Sequence, residues 1–358
     1  MVSKFKTKYL DNSDNPYFIS EIGINHNGIL SLALQMIRES KKAGFNAVKF
    51  QKRNANDLLN FGLKTKKPIG YLSKNKNDIP KKSVNFGKWV YPDTRLELKD
   101  KDYKKIKSYC KSIKIDLIIT PWDEKSMDFV ENIGVKAVKV ASIDANNFHF
   151  CNYIAKKRLP TIISTGMCTY DELKKTKKIF QKYKTPHMFL HCTSAYPSEE
   201  KDKNLLCIPE LKRILKTEIG FSGHGKGMAG SVGAVALGAT VIEKHSTLNK
   251  HMAGPDHAAS LELDVLKNMI DLAKKVKTSL GKPIKKLHKS ERILHSILSR
   301  KIVAREKIKK GQTFTFKNIK PVLVYKNYGL KTNEVLKIIN KSAKRNIVKG
   351  EIITIRDI

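Results

Sequence analysis

Short apolar runs recur eight times along the first three-quarters of the chain, at YFISEIGIN (17–25), AVKFQ (47–51), LIITP (117–121), AVKVAS (137–142), TIISTG (161–166), MFLHCTS (188–194), IGFSG (219–223) and TVIEKHS (240–246). Runs of this length, rich in β-branched residues, read as strands. Segments of helical period fall between most of them: 30–43, where Leu30, Leu34 and Ile37 step by four and three, then 124–133, 170–183 and 231–238, with 263–279 after the last. Strands that alternate with helices and are apolar on both faces belong to a parallel sheet covered on both sides. Eight such units within about 265 residues predict a (β/α)8 TIM barrel.

The pattern is broken twice. Residues 52–93 are polar, rich in Lys, Asn, Gly and Pro, and too long for an ordinary connection. Long loops on barrels are usually active-site loops or lids, and this one is expected to be one or the other. After Ser279 the helical period fades into a Lys- and His-bearing stretch, followed by the short β-like pieces IVARE, TFTF, PVLVY and EIITI, with Gly311 and Gly350 at turns. The only helical period there is at 335–340. The expected division is a catalytic barrel over 1–280, a linker over 281–299 and a small β-rich domain over 300–358. At about 60 residues a lone core is marginal, so that domain is expected to dock on something.

Seventy Lys and Arg stand against 33 Asp and Glu, for a formal net charge of +37. Such an excess raises the question of nucleic acid. However, the cations are about 60 Lys to 10 Arg and are spread along the chain rather than clustered. Bidentate recognition of bases and phosphates favours Arg, whereas Lys is a solvated point charge. The excess therefore reads as a lysine coat, and an RNA-binding role as the remote alternative. No apolar run reaches the roughly 18 residues of a membrane span, and residues 1–15 lack a signal-peptide core. The five cysteines are odd in number, scattered and never spaced as CxxC, which fits a reducing cytoplasm and excludes a disulfide framework.

Chemistry-bearing residues gather at the C-terminal ends of the strand candidates: Glu21, Asn25 and His26; Lys49 and Gln51; Thr120; Lys139 and Ser142; Ser164 and Thr165; His191, Thr193 and Ser194; Ser222 and His224; Glu243, Lys244 and His245. In a barrel those ends converge on one mouth. Lys49 and Lys139 lie inside apolar strands, where a buried ammonium needs an anion; with the hydroxyls they make a cationic, donor-rich pocket for phosphate or carboxylate. His224 and His245 end consecutive strands, and two imidazoles with water suit a divalent ion such as Mn²⁺, Co²⁺ or Zn²⁺. Glu21 is a candidate metal neighbour, general acid/base or sugar-hydroxyl partner. Asp256, in the loop after the last strand, adds a second carboxylate. The run GKGMAG (225–230) matches GxGxxG, but it lies in the seventh repeat and its following acid, Glu243, comes too soon for a dinucleotide fold. It reads instead as glycines that let backbone approach an anion at a helix N-terminus.

Seven segments in order, FISEIGINHNG, AGFNAVKFQ, TPWDEKSMDFVENIGVKAVKVAS, PTIISTGM, HCTSAYP, IGFSGH and GATVIEKHSTL with PDHAASLE six residues on, resemble the sialic acid (N-acetylneuraminate) synthases. The tail, AREKIKKGQTFTFKNI to KSAKRNIVKGEIIT, resembles their C-terminal SAF, or antifreeze-like, domain. The resemblance implies condensation of phosphoenolpyruvate with N-acetylmannosamine, or a related N-acyl amino sugar, and water, giving a nonulosonic acid and phosphate. Legionaminic- or pseudaminic-type synthesis from a 2,4-diacetamido sugar is the alternative. By motif, it assigns phosphoenolpyruvate to Lys49, Thr120, Lys139, Ser142, Ser164 and Ser222, the sugar to Gln51, Tyr196 and Asp256, and catalysis to Glu21. It assigns a divalent metal, Mn²⁺ first and Co²⁺ or Mg²⁺ next, to His224 and His245. It further implies a homodimer with swapped SAF domains, in which an Arg from the partner touches the sugar. Here the matching segment, 320–326, has no Arg, and Lys326 is the cation offered in its place. A synthase using a phosphorylated sugar would want an additional Arg at the mouth, and none is assigned there.

Overall fold

A computed structural model describes residues 5–54, 96–326 and 328–358 of the chain. Eight parallel strands follow one another in order: β1 (Tyr17–Gly23), β2 (Ala47–Lys52), β3 (Asp116–Pro121), β4 (Ala137–Val140), β5 (Thr161–Ser164), β6 (His187–Cys192), β7 (Ile219–Gly223) and β8 (Val241–Thr247). β8 pairs back onto β1, which closes the sheet into the expected barrel. A two-residue strand, β9 (Leu261–Glu262), extends β8 at its end.

Alternation along each strand sorts the side chains. Tyr17, Ile19, Ala47, Ile118, Ala137, Ile162, Met188, Leu190 and Val241 fill the barrel interior, joined by Phe5 and Leu10 from the segment before β1. Phe18, Val48, Phe50, Ile119, Val138, Ile163, Phe189 and Ile242 face the surrounding helices. Each strand is therefore apolar on both faces until its C-terminal end, where the interior positions turn polar.

The helices at Leu30–Ala43 and Glu124–Ile133 have the bounds that periodicity predicts, and those at Tyr170–Lys182, Ala229–Ala236 and Leu263–Leu280 differ by one or two residues. Helices at Asp100–Ser112, Phe148–Lys156 and Cys207–Leu215 are additional to the sequence reading. In the first, only Tyr103, Ile106 and Cys110 are buried among lysines and aspartates, too thin a stripe to stand out by composition. Most of the loop expected as an active-site loop or lid, 55–93, lies outside the described residues.

Two compact units divide the chain, Met1–Gly281 and Lys282–Ile358. In the second, β10 (Lys301–Ala304) pairs antiparallel with β11 (Ile319–Val322) around a core of Ile302, Ala304, Ile308, Phe314, Ile319, Leu330, Ile338 and Ile353. TFTF and EIITI contribute single bridges, Thr313 to Ser342 and Val303 to Ile352, rather than strands. The helical period at 335–340 is met by a 3-10 turn at Thr332–Lys337, and a short helix, Arg292–Leu298, occupies part of the expected linker.

Candidate functional site

Strand register brings the site together. Glu21 on β1 lies opposite Lys49 on β2 and opposite His245 on β8; Gln51 pairs with Thr120, and Ser222 with Glu243. Inward-facing positions at one level of a closed barrel can reach across it, and here they do.

The Lys49 ammonium is the hub. It sits 2.8 Å from Glu21 Oε2 and 3.7 Å from Glu243 Oε1, and donates to Thr120 Oγ1 at 3.1 Å. Gln51 Nε2 donates to the other oxygen of Glu21 at 3.0 Å, and Ser222 donates to Glu243 Oε1, also at 3.0 Å. The second ammonium, Lys139, donates to Ser164 Oγ at 2.6 Å and to the Val140 carbonyl at 3.0 Å. Ser142 lies just past β4, where its hydroxyl accepts from the Gly166 amide at 3.2 Å.

Pairing decides which of these groups hold their charges against burial. Burial penalises the Lys49 ammonium, but Glu21 and Glu243 outweigh it and keep its pKa above the usual value. Lys139 has no carboxylate in contact, so burial wins and its pKa is lowered. Glu243 is also penalised by burial, yet Lys139 and Lys49 pull it below the ordinary carboxylate range. Glu21 goes the other way: burial pushes it up, with the charge of Glu243 adding to the rise despite Lys49. Two buried carboxylates thus differ in proton affinity, the arrangement that separates an acid/base from a fixed charge.

Beside this network the His224 and His245 rings lie 5.3 Å apart, with Tyr196 packed 4.2 Å from the first and 5.8 Å from the second. Asp256 Oδ2 is 3.9 Å from His245 Nδ1. Asp256 also closes on Glu21: a side chain on Gly23 would meet Glu21 Oε1, Gln51 Nε2 and Asp256 Oδ2, all within 3.5 Å. Burial, with Glu21 next, raises the Asp256 carboxyl to about 6.

The donor chemistry of the two histidines fits a divalent cation. His224 Nδ1 lies 2.9 Å from the Thr193 carbonyl, which can only accept, so Nδ1 carries the proton and Nε2 keeps its lone pair. Burial and the nearby cations push His245 well below its usual pKa, leaving a neutral imidazole. Burial disfavours a charged His224, but Cys192 and the Thr193 carbonyl outweigh it, so a proton competes for this ring. Among the described residues no three His, Cys, Asp or Glu side chains gather as a metal cage. Such a site would offer two imidazoles and leave other positions to water or substrate.

The barrel thus unites Glu21, Lys49, Gln51, Thr120, Lys139, Ser142, Ser164, Tyr196, Ser222, His224, His245 and Asp256. Lys326 belongs to the second unit, where its ammonium lies over the Tyr328 ring at 5.8 Å. Two residues are additions. Glu243 is one of the strand-end groups of the sequence, and its contacts with Lys49 and Ser222 place it at the centre of the network. Arg53, two residues beyond Gln51, has a fully buried side chain whose Nε meets Glu97 at 2.5 Å, and its charge acts on Asp256. An Arg does lie at the end of β2, contrary to the sequence reading, which missed it because it falls past the strand-end position that marks the others.

A closed barrel whose mouth sets buried lysines and hydroxyls beside two histidines and three carboxylates has the build of an enzyme active site. The chain belongs to the NeuB family, whose model matches residues 36–285, and residues 300–358 match the SAF domain. It is 32% identical over 339 residues to the N,N'-diacetyllegionaminic acid synthase of Legionella pneumophila, covering 93% of this chain and 92% of that protein. Identity is 38% over 304 residues to the N-acetylneuraminate-9-phosphate synthase of Mus musculus, covering 84% and 80%. The crystal structure of N-acetylneuraminic acid synthetase from Leptospira borgpetersenii, in complex with citrate, superposes with a TM-score of 0.66 at 33% identity, covering 79% of this chain and 91% of that one.

Proposed function

We propose that the chain condenses phosphoenolpyruvate with N-acetylmannosamine, or a related N-acyl amino sugar, and water, giving a nonulosonic acid and phosphate. The observation that carries this reading is the make-up of the mouth. One part is cationic and rich in hydroxyls, built from Lys49, Lys139, Thr120, Ser142, Ser164 and Ser222. Beside it, Gln51, Tyr196 and Asp256 suit a polyhydroxylated sugar. Between them lies Glu21.

In the reaction, C3 of phosphoenolpyruvate bonds to the aldehyde carbon of the open-chain sugar and the aldehyde oxygen takes up a proton. Water adds at C2 and loses a proton, and the tetrahedral carbon then expels phosphate to leave a ketone. Lys49 and Lys139 hold the carboxylate and phosphate throughout, in a buried setting where their charges act strongly. Glu21, with its raised proton affinity, moves a proton at the aldehyde oxygen or the incoming water. His224 and His245 would hold a divalent ion, Mn²⁺ first, which when bound supplies Lewis acidity to the aldehyde. Gln51 fixes Glu21, and Asp256 takes a sugar hydroxyl. The resemblance supports a homodimer in which the second domain, with Lys326, covers the partner's mouth. The scattered thiols suit a cytoplasmic setting.

Incubation with phosphoenolpyruvate, Mn²⁺ and N-acetylmannosamine is expected to release phosphate and a 2-keto acid in equal amounts. Phosphate released without sugar would overturn the reading. Turnover only with a 2,4-diacetamido sugar would move the substrate to the legionaminic or pseudaminic class. Arg53 supports a second reading, an amino sugar phosphorylated at its terminal carbon, because it adds a guanidinium near Asp256. Preference for the phosphorylated sugar, lost in Arg53→Met, would favour it.

A further inference from the structure

The glycine run at 225–230 stands outside the catalytic network. It leads into the Ala229–Ala236 helix, which no side chain caps at its N-terminus. The amides of Ala229, Gly230 and Ser231 have no backbone partner, and the buried Ser231 hydroxyl has none of any kind. An uncapped helix start carries partial positive charge.

Two buried lysines meet there. Lys244 stands between Glu243 and His245 on β8, so strand alternation puts it on the outer face of the barrel, away from the mouth. Its ammonium donates to the Gly225 carbonyl, and among the described residues it forms no ion pair. Lys203 is 4% exposed and runs along the same glycines: a Cβ on Gly225 would fall 2.5 Å from its Cε and 2.7 Å from its Nζ, and one on Gly230 2.9 Å from its Cδ. Among the described residues its acidic partner is Glu200, whose side chain is 69% exposed. Lys203 and Gly230 line a cavity of about 380 Å³ together with Glu200, Lys201 and Asn204.

The Lys203 stem and ammonium lie against the helix start and against Gly225, whose carbonyl the Lys244 ammonium takes, and among the described residues Glu200 is the one carboxylate paired with either lysine. Like charges so placed repel unless an anion lies between them. We propose that Lys203, Lys244 and the first turn of the Ala229–Ala236 helix form a second anion site, distinct from the mouth, that takes a phosphate-class oxyanion, either free phosphate or a phosphate monoester. The exposed Glu200 carboxylate occupies it in the absence of ligand and swings out on binding. The site does not depend on which reaction the mouth performs.

Crystals of the full chain soaked in tungstate are expected to show anomalous density between Lys203 and Gly230, besides any in the mouth. In solution, inorganic phosphate should raise the unfolding midpoint of Lys203→Arg as it does for the wild type, and much less that of Lys203→Gln. Should Lys203→Gln not fold, Gly230→Ala, which displaces the lysine stem, replaces it. A larger rise with glycerol 3-phosphate than with phosphate assigns the site to monoesters, and an equal rise to the free ion. Density confined to the mouth, or equal midpoint shifts in wild type and Lys203→Gln, would overturn the proposal.

Discussion

Glu21 and Glu243 touch the same ammonium yet differ in what they can do. Glu243 is held charged by two lysines and a serine, so it fixes the cations. Glu21 is raised by burial and is the better proton carrier. Glu21→Gln keeps the shape and the contact with Gln51 while removing the proton exchange. Turnover is expected to fall by roughly 10²-fold or more with the Michaelis constant for phosphoenolpyruvate much less affected, measured by phosphate release at saturating sugar. His257 offers a test of stability instead. Burial lowers it to about 4, and burial with the charge of Arg53 lowers His26 to about 3. The unfolded chain binds these protons near pH 6.5, so acidification below that value favours unfolding until the folded pKa values are reached. Urea midpoints should therefore drop between about pH 6.5 and 4, and His257→Gln should flatten that slope. Residue identities at the mouth were legible because polar groups recur at one phase of each repeat. Arg53 was not legible, since one residue past a strand carries no periodic signal.

Elements were readable wherever pattern and burial coincide. The strands are apolar on both faces, and composition alone marks them. The Asp100–Ser112 helix buries three side chains beneath a lysine-rich surface, and its period is masked by charge. Strand spacing also explains small residues that no pattern announces. On β7, a Cβ at Gly220 would lie 2.4 Å from Leu190 Cδ2 and 2.5 Å from the Val241 carbonyl, so the barrel wall closes over this position. Gly220→Ala must push backbone as well as side chain. It is expected to cost about 1–3 kcal/mol, read as a lowered urea midpoint with unchanged slope, and a midpoint equal to wild type would refute that packing account. Gly166 applies the same constraint to chemistry: a methyl there would meet Ser194 Oγ at 2.2 Å and Ser142 Oγ at 2.7 Å. Gly166→Ala should raise the Michaelis constant for phosphoenolpyruvate roughly tenfold, the effect of one lost hydrogen bond, while the fold survives.

At the scale of the whole molecule the net charge of +37 separates into two populations. Most of the described lysines lie exposed at the surface. Lys49 and Lys139 are buried inside the barrel and Lys203 and Lys244 outside it, with Lys6 and Lys301 buried elsewhere. The coat still sets a long-range field. Phosphoenolpyruvate is anionic, so a positive field raises its encounter rate with the mouth without altering the chemistry that follows. The field is screened over a Debye length of about 10 Å at 0.1 M salt, falling to about 3 Å at 1 M. The buried contacts of Lys49 and Lys139 are sheltered from that screening. Raising sodium chloride from about 50 to 500 mM should lower kcat/KM for phosphoenolpyruvate severalfold and leave kcat nearly unchanged. A flat kcat/KM would mean that the coat does nothing for capture. An equal fall in kcat would mean instead that salt reaches the buried cations, which contradicts the sheltered geometry at Lys49.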